Sequence, residues 1–247
     1  MFSWGLGIAN IASATQILRD FPKRVIVLKS TRFISMLKGR RCGYTRRMVD
    51  WNQTRGFPEW CLNLERALAG DRNLQRQILE NGEEADAHLD HMRDEQLNYV
   101  ENLAAHARRF DDAELKAWRK DGRSSEEMLG KILKHVLEMV AFLFATNPHF
   151  KELPHARELP YTFIFRYAVA GCFVALRRLK DGLQKVNPEK VRNDIVDCAY
   201  VAQATYFQGF LTKDVKASEL FSDTKALVNL YLAHPPPPNH VMRRIAG

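Results

Sequence analysis

The sequence has no cysteine pair of the CxxC kind, no apolar run of membrane-spanning length, and no short glycine-rich or histidine-rich signature of a familiar chemistry. Each absence excludes something. The four cysteines, Cys42, Cys61, Cys172 and Cys198, are widely spread. Cys172 and Cys198 fall in apolar helical patterns, where a thiol serves as a small hydrophobe. That argues against a disulfide scaffold or a zinc finger and for a reducing, cytoplasmic compartment. The longest apolar stretch, residues 161–176, is shorter than the ~20 residues a span requires and contains Arg166. It is expected to be a buried core helix, and no membrane partner is expected. No Lys or Arg precedes the apolar opening, residues 1–18, which argues against a secretory signal. A P-loop, a dinucleotide-binding fingerprint and a nucleophile elbow are all missing, and no internal repeat is found.

What is present is a globular composition with 46% apolar residues and a formal charge of +8. That charge favours an anionic partner, either nucleic acid or an acidic membrane surface. Helix signals dominate. Residues 58–109 are rich in Leu, Ala, Glu, Gln and Arg. Ser124-Ser125-Glu126-Glu127 is a capping box ahead of a helix to about residue 145. Asn187-Pro188-Glu189 starts another, which Gly209 stops, and a further helix begins near Val215. Two short runs read as strands, residues 25–28 and residues 210–212. Pro235 to Pro238 opens a flexible tail, residues 233–247.

The chemistry-bearing residues cluster late in the chain. At 100° per residue, with Val191 at zero, Ile195, Cys198 and Ala202 define a buried stripe within about 40°. Asp194 then falls at about −60°, on the apolar side, and Asp197 about 60° further round. A buried carboxylate must be paired or bind metal, and Arg166 is a candidate partner for Asp194. A second carboxylate one turn away would hold its proton unless a cation sat between the two. Asp214 follows the expected strand in Thr212-Lys213-Asp214, where open α/β sheets place their sites.

Residues 193–214 resemble the C-terminal motif of PIN-like domains. The matching features are the helical Asp197, small residues at Ala202 and Ala204, the turn at Gly209, apolar Phe210-Leu211, and Thr212-Lys213-Asp214. The resemblance is carried by roughly the last sixty residues before the tail. It implies an α/β, predominantly helical three-layer domain over residues 1–232, with a small parallel sheet and a helical insertion at about residues 58–145. It also implies a Mg²⁺- or Mn²⁺-dependent ribonuclease whose metal is held by Asp194, Asp197 and Asp214, with Thr212 orienting Asp214 or a phosphate. Oxygen ligands suit those hard ions, and an inhibitory protein partner belongs to the same expectation. The family's first acid, at the end of an N-terminal strand, is missing: no acid precedes Asp20. Three explanations are open: a reading frame that extends upstream of Met1, a degenerate domain that binds nucleic acid without cleaving it, or a substitute acid from elsewhere. Val49-Asp50-Trp51-Asn52 has the right letters for a substitute, and Glu59 and Glu65 are candidates for the family's middle acid.

Basic residues supply an expected nucleic-acid surface. Residues 38–47 combine five cations with Tyr44; Arg40, Arg41, Arg46 and Arg47 would meet phosphates and Tyr44 would stack on a base. Arg177, Arg178, Lys180 and Arg192 would form a cationic rim beside the acids. A rival site is Glu84, His88, His91 and Glu95, which share one helix face and could hold a transition metal in a helical protein.

Overall fold

The computed structural model describes residues 3–81, 111, 113–114, 126–150, 152–181 and 188–234. The chain divides into two compact units. One comprises Met1–Ser30 and Arg46–Asp94, the other Thr31–Thr45 and Glu95–Gly247.

The first unit is built on α1 (Ser3–Ala14) and α5 (Trp51–Leu68). Ile8 and Ala12 of α1 are one turn apart and bury against Leu64 and Ala67 of α5, with Leu74 and Ile78 closing the cluster. Between these helices lie α2 (Gln16–Asp20) and a 3₁₀ turn, Pro22–Arg24. The β-branched run at residues 25–28 makes a single antiparallel bridge, Leu28 with Val49. Lys29 donates its N–H to the Met48 carbonyl (2.8 Å) and Asp50 donates to that of Val27 (2.8 Å). Asp50 then caps α5, its Oδ1 accepting from the amides of Asn52 (3.0 Å) and Gln53 (2.9 Å). These two bonds satisfy amides that a helix start leaves without partners.

The second unit contains α3 (Thr31–Ser35), a 3₁₀ turn at Arg40–Gly43, and four long helices. These are α6 (Glu126–Thr146), α7 (Phe163–Asp181), α8 (Pro188–Ala204) and α9 (Val215–Ala233). The short helix α4 (Thr45–Met48) lies at the division between the units. The central element is α7, with α6, α8 and α9 packed around it. It is the stretch expected to be a buried core helix. Met128, Ile132, Val136, Val140 and Phe144 recur every four residues along α6. They meet Phe165, Val169, Cys172 and Leu176 of α7 and Leu227, Val228 and Tyr231 of α9. The Phe165 and Tyr231 rings pack edge to face, with centroids 5.0 Å apart. On the other side of α7, Ala170 and Val174 meet Cys198 and Val201 of α8 and Leu220 of α9.

The expected α/β three-layer architecture is incorrect. Among the described residues there is no sheet, only the one antiparallel bridge. Residues 210–212 form no strand, and Leu211 is 91% exposed. A strand needs a partner for its backbone groups, and this three-residue run has none. No described helix is long and apolar enough to cross a membrane.

Candidate functional site

The helix α8 begins at Pro188, as its cap signal indicates, and buries Val191, Cys198, Val201, Ala202 and Thr205. Ile195 is only half-buried, so the buried stripe is rotated toward Val201 and Thr205. That rotation places Asp194 inside the stripe. Its partner is Arg178 of α7, whose Nε and Nη2 donate to the same oxygen, Oδ2, at 2.6 and 2.5 Å. Burial nonetheless holds the Asp194 carboxyl above the ordinary range, against the pull of Arg178 and, more weakly, of Lys216 and Arg177. Arg166 is engaged elsewhere. It donates to the Pro160 carbonyl (3.0 Å) and to Thr205 Oγ1 (3.1 Å), and its guanidinium lies 3.6 Å from the Tyr206 ring centre.

Asp197, one turn after Asp194, is half-buried and makes no hydrogen bond or ion pair with the described residues. Its carboxyl is pushed up by burial first, then by the charges of Asp214 and Asp194. The three aspartates singled out from the sequence are therefore electrostatic neighbours. Asp214 is exposed and caps α9: its Oδ1 accepts from the amides of Lys216 (2.8 Å) and Ala217 (3.2 Å). Thr212 accepts from the Asp214 amide through Oγ1 (3.0 Å), which fixes the approach to the cap.

The donor set is all oxygen and suits a hard cation. As a cage it does not close: no group of three or more His, Cys, Asp or Glu side chains among the described residues is placed to hold a metal. Asp194 has one oxygen tied to Arg178 and Asp214 has one tied to its cap. What remains is at most one or two carboxylates for a hydrated hard cation, and among the described residues Asp197 is the one of the three with no competing partner.

The surrounding cations are partly committed. Arg177 donates to the Lys216 carbonyl (2.8 Å) and to Asp223 (2.9 Å), tying α7 to α9. Lys225 is a functional contact that no sequence signal marks. Its Nζ donates to the carbonyls of Thr205 (2.5 Å) and Phe207 (2.9 Å), closing the C-terminal end of α8. Hydropathy reads Lys225 as one more surface cation. Its position one α-helix away from an unfinished helix end is visible only in three dimensions.

In the basic segment, Cys42 donates its thiol to the Tyr161 carbonyl (3.0 Å), and Gly43 lies against the Tyr161 ring, so close that a Cβ would come within 3.0 Å of it. This anchored turn presents Arg41 and Tyr44 to solvent, Tyr44 at 60% exposure. Lys38 is engaged over the Phe150 ring, 4.8 Å from its centre. Arg46, exposed, and Arg47, half-buried, belong to the first unit. Arg40 lies in the 3₁₀ turn and Arg192 in α8, with only their backbones described. Asp50 is the α5 cap, and Glu59 and Glu65 are exposed on α5, Glu65 3.9 Å from Arg19. Glu84, His88, His91, Glu95 and the proline-rich tail lie outside the described residues. No protein-family model, curated protein or solved structure matches this chain.

Proposed function

We propose that the chain is a divalent-metal-dependent nuclease acting on RNA, with Asp197 at the centre of its acidic site and Asp194 and Asp214 beside it. The observation that carries this reading is the Asp197 carboxylate: half-buried, without a partner among the described residues, and flanked by two further carboxylates. Divalent metal, when bound, would supply an activated water and neutralise phosphate charge. Asp197, with the free oxygen of Asp214, would be its protein ligands. Arg178 holds Asp194 in place, and the Lys216 ammonium, close enough to be felt by Asp194, would attract the phosphate. Arg41 and Tyr44, exposed on their anchored turn, would hold the strand.

The test is cleavage of single-stranded RNA with Mn²⁺ by the wild type, Asp197→Asn and Asp214→Asn. Asparagine caps a helix about as well as aspartate, so Asp214→Asn removes charge without unfolding the start of α9. Both variants should lose cleavage; rates equal to wild type would discard the assignment. A second reading, nucleic-acid binding without cleavage, is favoured by the commitment of Asp194 to Arg178 and of Asp214 to its cap. It predicts metal-independent RNA binding by all three proteins and cleavage by none.

A further inference from the structure

We propose that residues 16–29 form a docking surface for an anionic lipid membrane. This segment of the first unit runs through α2, the 3₁₀ turn and the bridge residue Leu28. It is ordered by its inner side. The Arg19 side chain donates to the Ala12 carbonyl (2.9 Å), the Arg24 amide to the Phe21 carbonyl (2.9 Å), and the Val27 amide to Thr54 Oγ1 (3.0 Å). Its outer side is apolar. Neither α2 nor the 3₁₀ turn has a buried residue, and Ile17, Leu18, Phe21 and Ile26 are 65%, 44%, 55% and 58% exposed. Four large apolar side chains held outward within ten residues are more than the single scattered exposures of an ordinary surface.

Charge identifies the occupant. Lys23 and Arg24 are exposed among these apolar residues, and the Arg24 guanidinium lies 5.6 Å from the centre of the Phe21 ring. The exposed charges of the segment are the two cations, Lys23 and Arg24, against one acid, Asp20. Cations at the rim of a shallow apolar face are the pattern of a surface that lies in the headgroup layer, its apolar residues entering the acyl boundary. A second copy of the chain would bring Lys23 and Arg24 against like charges. Nucleic acid would satisfy the cations but leave Ile17, Leu18 and Ile26 wet, because aliphatic side chains offer bases no stacking face.

The full chain should sediment with vesicles containing about 30% phosphatidylserine and remain in solution with pure phosphatidylcholine vesicles. Raising the salt to about 0.5 M should release it, through screening. Lys23→Gln/Arg24→Gln should weaken partitioning about 30-fold, the value of two interfacial cations. Phe21→Ser/Ile26→Ser should abolish it. All four side chains are exposed, so both variants should keep the wild-type melting temperature, which separates lost binding from lost folding. Equal sedimentation with both vesicle types, or with neither, overturns the proposal. It is equally overturned if Phe21→Ser/Ile26→Ser dissolves a dimer seen without vesicles, or removes RNA binding and leaves vesicle binding intact.

Discussion

Replacing Asp197 by asparagine tests the acidic site without requiring turnover. In the metal-free protein the Asp197 carboxyl is raised above its ordinary value of 3.8 by burial, by Asp214 and by Asp194. A carboxyl with a raised folded-state pKa binds its proton more tightly when folded. Below pH ~3.8 both states are protonated and it costs nothing; as pH rises toward the folded value, the ionised group becomes a penalty. Asp197→Asn should therefore stabilise the metal-free protein at pH 7. The side chain is half-buried, so solvent screening holds the gain to about 0.5 kcal/mol, or about 1–2 °C in melting temperature for a chain of this size. The gain should vanish near pH 3.5. Mn²⁺ should reverse the order: at ten times its Kd it would stabilise the wild type by about 1.4 kcal/mol, a rise of roughly 3–5 °C, and leave Asp197→Asn unmoved. Calorimetry at pH 3.5 and pH 7, with and without Mn²⁺, reads all four values. A variant less stable than wild type in metal-free buffer at pH 7 would show that Asp197 is compensated in the fold. Equal Mn²⁺ shifts in both proteins would remove Asp197 from the metal site.

Three further outcomes are expected. Asp214→Ala removes two cap hydrogen bonds from α9 and should cost about 1 kcal/mol in urea denaturation, while Asp214→Asn should cost only a few tenths. Arg166→Met strips Pro160 and Thr205 of a buried donor and Tyr206 of its cation; a loss of about 2–4 kcal/mol is expected, and a loss under about 0.5 kcal/mol would show that this polar centre contributes little. Arg41→Ala should lower RNA affinity and reduce the salt slope of binding by about one, with no change in melting temperature; an unchanged slope would remove Arg41 from the interface.

The helices were legible because several independent signals agree at each. The apolar residues of α6 recur in step from Met128 to Phe144 behind Glu126 and Glu127, and Pro188 opens α8 where its fixed φ is tolerated. The strands were misread because a run of three or four apolar residues carries no period of its own. Residues 25–28 found one bridge and residues 210–212 none. The aspartates carry two readings for a related reason. Thr-x-Asp before a helix and Asp-x-Asn after an apolar pair spell metal motifs, but they also spell N-caps. A cap finds its partners within three residues, whereas a metal site needs acids from several elements. Asp214 and Asp50 both took the local solution.

The partner of Asp194 shows what more could have been read. Helices α7 and α8 pack against each other and follow closely in sequence. In an antiparallel pair the end of the first meets the start of the second. Arg166, early in α7, then belongs with Thr205 at the end of α8, and Arg178, late in α7, with Asp194 near its start. Both pairs are present, and they lie almost symmetrically about the connection. Pairing Asp194 with Arg166 ignored that register. The same rule does not reach Asp214. Between the end of α8 and the start of α9 lie ten residues, 205–214, without a regular element, the last of them the cap. Lys225 holds the start of this segment through the carbonyls of Thr205 and Phe207, and Asp214 stands at its other end. If the proposed site holds a cation, its geometry would lean on a lysine that no metal motif contains, and replacing Lys225 by methionine should weaken the Mn²⁺ response while leaving all three aspartates in the sequence. An unchanged Mn²⁺ shift in melting temperature in that variant would show that the segment holds its path without the lysine.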